Sequence, residues 1–157
     1  MMSKKTISFK ISIILFYILS VGTVAFGCLY FFRSDIMPYH YSFLHLTPQE
    51  LTNFNPNILK LMIAFLKIVG SSFIAIGIGI AILTFRGIRQ EKAWAWWSIL
   101  VIYLFPIVTT YVITIIVSNN ITEGPKPPSW LALSMIIDLF IALALSIKVL
   151  NCNKLAK

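Results

Sequence analysis

Two residues of opposite charge stand inside long apolar runs: Lys67, between Leu66 and Ile68, and Asp138, between Ile137 and Leu139. A charge at the centre of a membrane span costs about 3 kcal/mol or more, so such residues pair, face a protein interior or mark a functional site. Ser134, Asp138, Ala142 and Ser146 recur every four positions, and Lys60, Ala64, Lys67, Ser71 and Ala75 share one helical face. Small and polar side chains on one stripe are what close helix packing in lipid requires. Pro106, Thr110 and Thr114 form a comparable stripe, as do Ser20, Thr23 and Gly27. With all four stripes turned inward, Thr23, Lys67, Thr110 and Asp138 are expected near one level as a polar layer.

Three readings of that layer stay open. Lys67 and Asp138 neutralise each other and lock helix register; or the layer lines a pocket for a headgroup, a small metabolite or a proton; or Lys67 snorkels outward while Asp138 is protonated or faces a partner chain. A pocket mouth would be the place for His40, His45 and Glu50, because histidine titrates near neutral pH. The H-x4-H spacing of His40 and His45 matches no standard ligand pattern, so no metal is expected.

Positioning these residues takes helices long enough to cross a bilayer. The chain has 157 residues, of which 59% are hydrophobic and 11% charged, about half the charge of a soluble domain. A span needs roughly 20 apolar residues, and four stretches qualify, at about 11–32, 58–85, 93–117 and 130–150. The expected fold is therefore all-α, a single four-helix membrane bundle. Of the thirteen basic residues, nine (Lys4, Lys5, Lys10, Arg86, Arg89, Lys92, Lys148, Lys154 and Lys157) fall on one side. The positive-inside rule then puts both termini and the Arg86 to Lys92 turn in the cytoplasm. In that topology spans two and four run parallel, and Lys67 and Asp138 come to a matched depth of roughly 12 to 14 Å.

The longest connector, 33–57, carries Thr47-Pro48-Gln49-Glu50, an N-cap, a Pro at the first helical position and a capping-box Glu. A short surface helix is expected there, and Asn55-Pro56 repeats the signal before span two. Tyr39, Tyr41, Phe43 and Leu44 would lay the segment on the bundle or in the headgroup layer.

Several function classes are disfavoured. The net charge of +8 is spread along the flanks of spans rather than gathered in one patch, which suits membrane lipids and not nucleic acid. Cys28 and Cys152 fall on opposite sides of the membrane in this topology and cannot pair. There is no nucleophile elbow, Walker loop or Cys-His set, so no catalytic residue and no cofactor is assigned.

The four spans, the connector from Met37-Pro38-Tyr39-His40 through Glu50-Leu51, and the Glu91-Lys92-Ala93-Trp94-Ala95-Trp96 start of span three resemble the DoxX-like small bacterial four-helix membrane proteins. The resemblance implies a location in the bacterial plasma membrane and, for some relatives, service as a membrane subunit of an oxidoreductase complex. No cofactor-binding residue carries over. Two expectations follow. One is a non-enzymatic accessory or scaffold component that docks a protein partner or a second copy. The other is a small-molecule or lipid-binding bundle, with an enzyme as one form of it, whose polar centre is Lys67 and Asp138. A filled interior favours the first, and an open apolar cavity of several hundred Å3 reaching the layer favours the second.

Overall fold

The computed structural model describes residues 7–155, with side chains through Ile147. Lys4, Lys5 and Lys157, and the side chains of Lys148, Cys152 and Lys154, lie outside the described residues. All regular structure described is helical: α1 (Ile7–Phe31), α2 (Pro38–Leu44), α3 (Pro48–Phe54), α4 (Pro56–Arg86), a single 3-10 turn (Ile88–Gln90), α5 (Ala93–Asn120) and α6 (Ser129–Leu155). Four of them, α1, α4, α5 and α6, are long and apolar enough to cross a membrane, and the chain is a multi-pass membrane protein. Their exposed large apolar side chains, such as Ile14, Ile18, Phe65, Phe105 and Phe140, form the surface expected against lipid rather than water.

Local signals account for the helix ends in the connector. The Thr47 hydroxyl accepts from the Glu50 N–H at 3.2 Å, and the Thr47 N–H donates to Glu50 Oε2 at 2.7 Å. The bond from the Thr47 N–H, and then one from the Thr47 hydroxyl to the same oxygen at 2.8 Å, hold the exposed Glu50 carboxyl below its ordinary value. Asn55 caps α4 by accepting from the Asn57 N–H at 2.9 Å. Met37 precedes α2, and its N–H donates to Nδ1 of His40 at 3.1 Å, while His45 closes that helix in the left-handed region at φ 54°.

Packing centres on α1, which lies most extensively against α4 and next against α6. Glycine sets the α1/α4 distance. A Cβ on Gly27 would stand 2.7 Å from the Gly70 carbonyl oxygen, one on Gly70 would stand 2.6 Å from the Phe31 nitrogen, and one on Gly77 would stand 2.8 Å from the Ser20 carbonyl oxygen. Backbone meets backbone along this seam, as small residues permit in lipid. The Ser20 hydroxyl crosses it to the Gly77 carbonyl at 2.7 Å. On the far side α5 packs on α6, and the Trp96 indole donates to the Leu143 carbonyl at 3.2 Å.

The seam decides which way α4 faces. Its buried residues are Gly70, Phe73, Gly77, Ile80 and Thr84. Lys60, Ala64, Lys67, Ser71 and Ala75 are all exposed, so the inward orientation expected for that stripe is corrected. Bare glycine backbone gives α1 a closer fit than a stripe interrupted by two lysines, and an outward Lys67 can carry its ammonium toward the end of the helix.

Candidate functional site

The α4–α5 turn holds the two helices together at one end, where a Cβ on Gly87 would run into the Ala95 side chain. Elsewhere α4 touches α5 only lightly. Toward the end of the bundle that carries the α1–α4 connector, a cavity of about 300 Å3 opens between them. Phe26 and Tyr30 of α1, Val69 and Phe73 of α4, and Ile113 and Thr114 of α5 form its walls, and Tyr39 and His40 of α2 cover it. A second cover comes from the α5–α6 loop. Pro127 lines the cavity, and Gly124, at φ +97°, comes so close to α2 that a Cβ would stand 2.6 Å from Ser42 Oγ.

The polar groups lie at the covered end. The Tyr30 and Tyr39 hydroxyls share a hydrogen bond of 2.6 Å. Burial raises the Tyr39 hydroxyl above its ordinary value, so it stays protonated near neutral pH. Thr110 and Thr114 donate to their own helix, to the Pro106 and Tyr111 carbonyls at 2.8 Å each, and keep lone pairs for a guest. His40 is fixed through Nδ1, which accepts from Met37 and therefore carries no proton, leaving Nε2–H as the donor. Among the described residues Nε2 has no hydrogen-bond partner.

Burial holds the His40 imidazole below the ordinary histidine value of 6.5. A base depressed in the folded state contributes stability that is complete above its unfolded value and is lost as pH falls through the folded one. Protonation also removes the Nδ1 acceptor. Amide-exchange protection of α2 should therefore fall between about pH 7.5 and pH 5, and His40→Phe should flatten that dependence. Equal protection of α2 at both ends of the range would show that His40 does not anchor it.

The other expected site residues are distributed differently. His45 and Glu50 are exposed caps of α2 and α3 and do not line this cavity. Among the described residues no group of three or more His, Cys, Asp and Glu could hold a metal. Thr23 is fully buried, donates to the Leu19 carbonyl at 2.6 Å and lies 3.2 Å from the Tyr103 hydroxyl. Asp138 is half-buried in a separate groove between α1 and α6, beside Ile18, Leu19 and Gly22.

The single polar layer is corrected to two levels. Gly70 sits between Gly27 and Phe31, so Lys67, almost one turn before it, reaches the level of the last turn of α1. Thr110 shares a cavity with Tyr30 near that level. Asp138 and Thr23 lie lower, beside Gly22 and Leu19. The matched depth of Lys67 and Asp138 is thereby removed: ten or so residues of α1 separate their levels, roughly 15 Å along the axis. Among the described residues no ion pair joins them, and α4 and α6 are not close neighbours.

Sequence reasoning missed Tyr30, Phe26 and Phe73. Their signal was aromatic bulk on the glycine-rich faces of spans one and two, which reads equally well as packing. Phe26 lines this cavity, the α1/α6 groove and the small void between them, so one ring separates two openings of the bundle. Comparison of the chain with protein-family models, with curated protein sequences and with solved structures gives no match.

Proposed function

We propose that the chain is a non-enzymatic membrane-embedded binding protein that holds an uncharged amphiphile in the cavity between α4 and α5. The observation that carries this reading is the cavity itself: about 300 Å3, walled by apolar side chains and covered by Tyr39 and His40. Its volume falls at the lower end of the range of ligand pockets. Among the described residues its lining contains no Lys, Arg, Asp or Glu, which favours a hydroxyl, carbonyl or ester head over a phosphate or an ammonium. Val69, Phe73, Ile113 and Val117 suit an acyl chain or a flat ring. The polar centre therefore moves from Lys67 and Asp138 to Tyr30, Tyr39, His40 and Thr110.

The excess of basic residues on one side supports placing both termini and the Arg86 to Lys92 turn in the cytoplasm. The DoxX-like resemblance supports a bacterial plasma membrane. A second reading, an accessory or scaffold subunit, is favoured by α4, where Ser71 and Ala75 are exposed and a Cβ on Gly79 would meet nothing within 4 Å.

Native mass spectrometry of the detergent-purified protein tests the two together. The binding reading expects a monomer that retains one neutral lipid or isoprenoid-type amphiphile through mild delipidation. A lipid-free chain that takes up none from an added neutral lipid mixture would overturn it. A stable oligomer or a retained protein partner, with no ligand, would favour the scaffold.

A further inference from the structure

The α1/α6 groove differs from the covered cavity in shape and in charge. It is about 460 Å3 and open at the side of the bundle. Among the described residues its walls are apolar except for Ser134 and Asp138, and Asp138 is the only ionisable one. The Ser134 hydroxyl is engaged with the Leu131 carbonyl at 2.8 Å, whereas the Asp138 carboxylate has no hydrogen bond or ion pair among the described residues. None of the described basic residues lines the groove, and Lys67 lies exposed on α4, which has no extensive contact with α6.

Gly22 shows that this space is not a by-product of tight packing. At Gly27, Gly70 and Gly77 a Cβ would collide with backbone, but at Gly22 the nearest atom is the flexible tip of Met135 at 3.7 Å. Gly22 therefore does not bring two helices together, and its missing side chain, next to exposed Ala25, leaves room opposite Asp138.

From the Asp138 carboxyl group, its apolar walls and the absence of a cation beside it among the described residues, we infer that the groove is a binding site for a lipophilic cation, an amine or onium with an aromatic or branched apolar body. A carboxylate at membrane depth is costly without a counter-charge. A hydrated inorganic cation would lose its water against Ile18, Leu19 and Met135, whereas an organic cation brings its own apolar cover and needs little hydration. The Phe26 ring on the same wall adds a surface that attracts such a cation. The groove is distinct from the proposed amphiphile cavity, so either site can fail without the other.

The test uses two ions of nearly the same shape and opposite charge. Full-length protein in detergent is titrated with radiolabelled tetraphenylphosphonium, and unlabelled tetraphenylphosphonium or tetraphenylborate is the competitor. Saturable binding is expected, with the cation displacing the label at least tenfold better than the anion. Asp138→Asn and Gly22→Leu should each weaken binding at least tenfold, one by removing the charge and the other by filling the space, while Asp138→Glu retains it. Gly79→Ala, on α4 away from both openings, should leave binding unchanged. Non-saturable uptake by wild-type protein, equal competition by the two ions, or full binding by a folded Asp138→Asn or Gly22→Leu protein would overturn the assignment. The competition arm needs only wild-type protein, so it decides even if a variant does not fold.

Discussion

Replacing Gly70 by alanine is expected to destabilise the bundle by about 1 to 3 kcal/mol, the usual cost of overpacking, and Gly70→Leu by more. The reason is the identity of the atoms the new methyl would meet. They are the Phe31 nitrogen at 2.6 Å and the Gly27 carbonyl oxygen at 2.7 Å, neither of which can rotate away as a side chain could. Relief requires α1 and α4 to separate, which also stretches the 2.7 Å bond from Ser20 to the Gly77 carbonyl. Gly27→Ala should behave alike, because its Cβ would stand 2.7 Å from the Gly70 carbonyl oxygen. Gly79→Ala is the control. Its Cβ meets nothing, so the alanine should match or slightly exceed wild type through its better helix propensity. Unfolding followed by circular dichroism in graded sodium dodecyl sulfate reads all three. Equal midpoints for Gly70→Ala and Gly79→Ala would mean that α1 and α4 are not in backbone contact.

Filling the covered cavity is expected to abolish binding of the proposed amphiphile while sparing the fold. Thr114→Trp places an indole between α4 and α5, where the helices already stand apart and about 300 Å3 is open. The hydroxyl it removes bonds only to the Tyr111 carbonyl of its own helix, so no link between helices is lost. The bound-lipid signal in native mass spectra should fall at least tenfold, with the unfolding midpoint close to wild type. Thr114→Ala leaves the space and should retain the ligand. Retention by Thr114→Trp at wild-type level would place any bound lipid elsewhere, on the outer surface or in the α1/α6 groove.

These two variants depend on features that differ in how much of them is visible in the chain. The four apolar stretches found in the sequence correspond to α1, α4, α5 and α6, with ends moved by a few residues. Such stretches are legible because bilayer thickness imposes a minimum apolar length on each helix independently. The Thr47 and Asn55 caps are legible for a similar reason: donor and acceptor stand within three residues of each other. His40 and Thr110 were singled out by residue type, yet nothing local indicated that they would line one cavity while His45 and Glu50 would not.

Four spanning helices, the capping that starts α3 and α4, and two charges within spans are legible along the chain. The rotation of α4, the axial offset of Lys67 from Asp138 and the two openings of the bundle emerge when the helices pack together. Two stripes on α4 were both compatible with an inward face, one small and polar with lysines, the other Gly70, Phe73 and Gly77. The choice between them rests on how closely the α1 backbone can approach, and the same glycines set the register that carries Lys67 to the end of α1 and leaves Asp138 lower, beside Gly22. Rotation and register are properties of a pair of helices, so neither can be read from the periodicity of one.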